Sequence, residues 1–235
     1  MFRIFIFTAL LAGGLAGLLL MGIQQWQVTP IILAAEKFET ADHSHEQAAH
    51  EHSDEEGAWS PADGAERMLF TLFSDVLAGT GFALLLVAAM SLRNHSGWLK
   101  GLLWGLAGYT VFFVAPSLGL HPKVPGTTGA ALAEQQLWWM ATVAATAGGL
   151  ALLVFTRSLL LRGMAIVLLL MPHLFGAPLP EVTSSLAPEQ LRNDFILASS
   201  IANAVFWLAL GVFTGYFLQF FMHDSASSSS RFVNS

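Results

Sequence analysis

Four histidines fall within ten residues as two His-x-His pairs, His43/His45 and His50/His52, threaded among Asp42, Glu46, Glu51, Asp54, Glu55 and Glu56. Imidazole suits zinc, copper, nickel and cobalt, and carboxylate suits harder ions. The stretch therefore offers mixed nitrogen and oxygen donors to a divalent cation. Its spacing is loose and its surroundings are polar, which suits a flexible collector that raises local metal concentration better than a preformed tight site. The competing reading is a solvated acidic segment in which the histidines are incidental.

A second set lies in apolar surroundings. Asp75 stands eight residues past Arg67, His173 seven before Pro180, and Asn203 nine past Asp194. At the rise of a helix these are depths of about 12, 10 and 13 Å from one membrane face. Polar and ionisable groups in lipid are expensive and mark ion or proton pathways. A carboxylate, an imidazole and an amide at one level could form a transient site for a divalent cation. The alternative is that Asp75 and His173 pair with each other or with backbone as structural glue. His121, in Gly119-Leu120-His121-Pro122, either extends an entry route or lies on the surface. His95 and His223 fall at the opposite ends of the spans and are expected to be solvated. Met68, Met140, Met164 and Met171 form no cluster suited to Cu(I) and read as packing.

These groups need a framework, and the composition defines it. The hydrophobic fraction is 54% and only 11% of residues are charged, against about 25% in an average soluble domain. A span needs roughly 20 apolar residues to cross about 30 Å of hydrocarbon. Six stretches qualify, at 4–26, 67–92, 99–120, 135–156, 160–180 and 192–221. The expected fold is all-α, a polytopic membrane helical bundle with about six transmembrane helices, with residues 1–235 as a single transmembrane domain. Residues 28–66 form its His/acid-rich loop. Residues 223–235, with the run Ser227–Ser230, read as a disordered tail. The first apolar run exceeds a signal-peptide core and has no clear small-x-small site after it, so it reads as a span. Pro172, Pro178 and Pro180 interrupt the outer half of the fifth span, as a break beside a cavity or as a simple kink.

Basic residues orient the bundle. Arg3, Arg93, Lys100, Arg157, Arg162 and Arg231 lie at one set of ends, and Lys37, Arg67, Lys123 and Arg192 at the other. Positive-inside counting places both termini in the cytoplasm and the His/acid loop outside. Trp26, Trp59, Trp138 and Trp139 near outer ends, and Trp98 and Trp104 near an inner end, read as interfacial anchors. Small residues, Gly13, Gly14 and Gly17 among them, allow close helix packing in lipid.

The absences narrow the chemistry. No cysteine is present, which removes disulfides, thiolate metal sites and iron–sulfur clusters. There is no GxxxxGK[ST], HExxH or GxSxG pattern, and only His173 lies clearly inside a span, too few for b-type haem. The expectation is a protein that is not an enzyme and has no resident cofactor. The net charge of −6, with no basic tract, excludes nucleic acid as a partner.

Beyond these residues the chain resembles the CbtA family of predicted cobalt transporter subunits. The resemblance runs over nearly the whole length. It opens with Gln24-Gln25 and Thr29-Pro30-Ile31-Ile32-Leu33-Ala34-Ala35-Glu36. Its strongest block is Pro116-Ser117-Leu118-Gly119-Leu120-His121-Pro122 with Pro125-Gly126, continuing into Gln136-Leu137-Trp138-Trp139, Thr142, Thr146 and Gly149-Leu150. A third block is Pro172-His173-Leu174-Phe175-Gly176-Ala177-Pro178, followed by Phe206-Trp207. The family often has proline where this chain has His121, which sets that histidine apart from any shared ligand role. The resemblance implies a multi-pass protein of the bacterial inner membrane that takes up Co²⁺ for cobalamin synthesis. It also implies a small single-span partner, the CbtB-type subunit. The residues alone point to divalent-metal chemistry at a membrane. A membrane-anchored sensing module, or transport of nickel or zinc, remains the alternative on that ground.

Overall fold

The computed structural model describes residues 2–46, 61–62, 64–180 and 184–233, with side chains for all of these but 39–46 and 225–233. Every extended regular element among them is helical. In chain order they are α1 (Phe2–Ile23), a π-helical segment (Gln24–Val28), α2 (Thr29–Glu46), α3 (Ala65–Leu92), α4 (Trp98–Tyr109), a second π-helical segment (Thr110–Val114), α5 (Ala115–Ser117), α6 (Leu132–Phe155), α7 (Leu159–Phe175) and α8 (Glu189–Val233). A lipid-immersed backbone must satisfy its own hydrogen bonds, and a helix does so within one segment. The apolar side chains need no burial against protein: Leu92, Leu159 and Leu174 are each 83% exposed.

Among the described residues five helices are long and apolar enough to cross a membrane: Phe2–Phe38, Ala65–Leu92, Trp98–Ser117, Leu132–Phe155 and Glu189–Asp224. The sixth apolar helix, α7, has 17 residues, or about 25 Å. The fifth span was expected over 160–180 but ends at Phe175, where Gly176 adopts φ 79°. Pro172 lies inside its last turn. Proline has no N–H to give the carbonyl four residues back, Leu168 here.

The two π segments share a cause. Pro30 and Pro116 each follow such a segment by two residues, and each ring crowds a carbonyl four residues earlier, inside it. The widened turn relieves that clash. In the second segment the Ala115 N–H bonds the Thr110 carbonyl, five residues back.

The chain divides into two compact units: Met1–Gln25, Glu56–Leu106 and Ala202–Ser235 in the first, Trp26–Glu55 and Ala107–Ile201 in the second. In the first unit, α1 and α3 pack backbone to backbone. A Cβ added at Gly17 would lie 2.7 Å from the Asp75 carbonyl oxygen and the Val76 Cα, and one at Gly79 would lie 2.6 Å from the Gly13 carbonyl oxygen. A second seam joins α4 to the middle of α8, where a Cβ at Gly211 would meet the Gly105 backbone at 2.7 Å. Small residues of this kind let van der Waals packing hold helices together without a hydrophobic driving force. Val87, Met90 and Leu218 form the core beneath Ile4, Phe5 and Trp104.

In the second unit, α6 packs on α7, with Gly149 against Leu169 and Ala165. The connection before α6 and the one before α8 are tied together. The Thr128 N–H donates to the Ser184 carbonyl at 3.1 Å and the Leu186 N–H to the Gly126 carbonyl at 3.3 Å. α2 rests on this pair of loops: Ala35 is buried against Val124 and Ala187, with Ile31, Leu191 and Phe195 around them. Residues 29–46 were expected within the 28–66 loop, and they are helical. The 223–235 tail was expected to be disordered, and its backbone is helical through Val233.

Candidate functional site

Asp75 lies on α3, half-buried, where the backbone of α1 passes close to it at Gly17. Gly17 has no side chain to fill the space beside it. The Gln24 side-chain amide donates a hydrogen bond to the Asp75 carboxylate. The Oδ2 atom of Asp75 is buried and has no hydrogen-bond partner among the described residues. A buried polar atom without a partner costs about 1–3 kcal/mol, more when charged, and in a native structure it marks a place where a ligand or ion could bind.

Gln24 was not among the residues singled out for chemistry, although Gln24-Gln25 belonged to the family-like opening. A signal for it exists in the spacing. Gly13, Gly17 and Leu20 belong to the buried face of α1, with Thr8, Ala9, Ala12 and Ala16, and Gln24 continues that face one turn further, followed by buried Val28.

His173 lies in the second unit, on the last turn of α7. Its ring stands edge-on to Trp138, with centroids 6.1 Å apart. The Trp138 indole N–H donates to the Pro172 carbonyl at 3.2 Å. Trp138 is therefore more than an interfacial anchor: it ties α6 to the proline turn. A groove of about 710 Å³ opens between α6 and α7, lined by Glu134, Trp138, Met171, Pro172, Gly176 and Pro178 among others. Its walls are mostly apolar, and His173 does not line it.

Asn203 is half-buried on α8 in the first unit. His43 and His45 fall on the last turns of α2; His50 and His52 lie outside the described residues. His121 is exposed in the loop after α5, and His223 is exposed near the end of α8. His95, expected to be solvated, is half-buried and accepts a hydrogen bond at Nδ1 from the Trp104 indole N–H at 3.1 Å. Among the described residues there is no group of three or more His, Cys, Asp or Glu able to hold a metal ion. Asp75 and Asn203 belong to one unit and His173 to the other.

Apolar spanning helices joined by small-residue seams, with a carboxylate held by an amide inside one span, define a multi-pass helical membrane protein. The family model for CbtA, the probable cobalt transporter subunit, matches residues 2–219. The chain belongs to that family. No curated protein and no solved structure matches it.

Proposed function

We propose that this chain is the membrane subunit through which a divalent transition metal, cobalt, enters the cell to supply cobalamin synthesis. The observation that carries the reading is membership of the probable cobalt transporter subunit family over residues 2–219. Within that reading, Asp75 is the charged step of the path. It is a carboxylate inside a span, held on one side by Gln24 and left without a partner at Oδ2 among the described residues. A divalent cation passing that oxygen would satisfy it. His173 serves as a second donor, beside a proline turn that frees a backbone carbonyl, and Asn203 as a neutral one. His43, His45, His50 and His52 collect the ion on the outer side. The family description names a subunit, and the partner proposed is the small single-span CbtB-type protein. The multi-pass chain would lie in the bacterial inner membrane with both termini in the cytoplasm.

The test is uptake of radioactive Co²⁺ and Ni²⁺ by cells with and without this chain and its partner, alongside the Asp75→Asn variant. The substitution keeps the size and removes the charge. Uptake should require the chain, favour cobalt, and vanish in Asp75→Asn while the protein still inserts and assembles. Binding of metal without accumulation would replace transport by sensing. Wild-type accumulation by Asp75→Asn would place the path elsewhere.

A further inference from the structure

We propose that Gln24 is a positioning residue for Asp75. Its amide fixes one side of the carboxylate so that Oδ2 is presented to the metal. The inference rests on the reading of Asp75 as the charged step of the path, and it assigns a role to a neutral residue that ligand chemistry alone does not single out.

The geometry comes from the α1/α3 pair. These helices run antiparallel: Gly13 faces Gly79 and Thr80, and Gly17 faces Asp75 and Val76. Continuing that register, the Gln24 Cα lies about two turns beyond the level of Asp75, toward the outer end. In a helix each Cα–Cβ bond tilts toward that helix's own N-terminus. In an antiparallel pair the two side chains therefore lean toward each other: Gln24 reaches back along α1 while Asp75 reaches out along α3. Gln24 has the length to close the gap, and the hydrogen bond between them is made.

The π segment keeps Gln24 in place. Gln24 is its first residue, so the α-helical stripe through Gly17 and Leu20 delivers Gln24 to the α3 face unaltered. The extra residue per turn is taken up after it. Segments of this kind recur at functional sites. Pro30 makes the segment a property of the sequence rather than of a bound ligand. A carboxylate held at one oxygen by a fixed amide does not have to be ordered when the ion arrives, so the cost of arranging it is met on folding.

The test compares Gln24→Ala, Gln24→Asn and Asp75→Asn with the unaltered protein, each co-expressed with its partner. Initial rates are measured over a range of Co²⁺ concentrations, together with the Co²⁺ concentration that protects Asp75 from a hydrophobic carbodiimide, read by mass spectrometry. Gln24→Ala should raise the KM for Co²⁺ about tenfold, the scale of one hydrogen bond to a charged group. Vmax should stay within about twofold, and the protecting concentration should rise in parallel. Gln24→Asn, shorter by one methylene, should behave like Ala. Unchanged KM and protection in Gln24→Ala, beside an inactive Asp75→Asn, would overturn the positioning role and leave the path reading intact. Wild-type transport by Asp75→Asn would overturn both. Loss of Vmax with poor assembly in both Gln24 variants would make Gln24 a structural residue and sink the proposal.

Discussion

Gly17→Ala puts one methyl group into a backbone-to-backbone contact of the α1/α3 seam, the one beside Asp75. The new Cβ would lie 2.7 Å from the Asp75 carbonyl oxygen and the Val76 Cα, and 2.8 Å from the Asp75 carbonyl carbon, where ordinary contact begins near 3.4 Å. All three obstacles are backbone, so no rotamer change relieves them. The helices must part by about 0.7 Å along that contact. Overpacking of this kind costs typically 1–3 kcal/mol. The same helix supplies the control, because a Cβ at Gly14 meets nothing within 4 Å. Gly14→Ala should be neutral or slightly stabilising, since alanine is the better helix former by up to about 1 kcal/mol. Unfolding of the purified proteins by SDS titration in mixed micelles should place Gly17→Ala below the unaltered protein and Gly14→Ala level with it or above. Because the displaced backbone is that of Asp75 itself, the Gln24 contact should loosen too, and Co²⁺ uptake should lose affinity. A Gly17→Ala protein as stable and as active as Gly14→Ala would refute the reasoning that the close approach of α1 and α3 is what holds Asp75 in place.

Replacing His43, His45, His50 and His52 together by Ala should weaken uptake mainly at low metal concentration, because a collector contributes to capture; loss at every concentration in the transport assay would make them part of the obligatory path. The chain has no cysteine of its own, so single cysteines report topology cleanly: one in place of Ser53 should react with an impermeant thiol reagent in intact cells, and one in place of Ser228 only after the membrane is opened. The opposite labelling would reverse the orientation read from the basic residues. Initial uptake should fall between pH 7.5 and 5.5. A free imidazole titrates near about 6.5 and a metal binds only its deprotonated form, so the loss lies on the acid side; a rate that is flat or rises on acidification would remove imidazole from the rate-determining site.

The spans were legible because lipid demands a simple thing of a sequence, a long apolar run, and α3, the continuous helical run Trp98–Ser117 and α6 begin and end within a few residues of where hydropathy places them. Polarity marks where the bilayer stops, though, not where a helix stops. The segment after Pro30 was expected to be loop because it is charged, yet Ala34-Ala35-Glu36-Lys37 are good helix formers. Ile31 and Ala35 also find apolar partners on the two tied loops, so the helix continues to Glu46. α7 shows the reverse: apolar sequence continues to Leu179, but Pro172 and Gly176 end the helix at Phe175. Depth in a span made Asp75 conspicuous as a costly charge. Gln24 was not conspicuous, because an amide at the edge of an apolar run costs little by itself. Its meaning lies in a pairing between two helices, and one-dimensional hydropathy does not contain that. What the sequence does contain is the stripe Gly13, Gly17, Leu20, Gln24, Val28, one position per turn. Read with the small residues as a contact surface, that stripe requires whatever stands at position 24 to meet α3, and the group on α3 that its amide hydrogen-bonds is Asp75. The glycine seam and the charged residue are thus one feature: the glycines bring the backbones together, and that closeness lets a neutral side chain from one helix hold a carboxylate on the other.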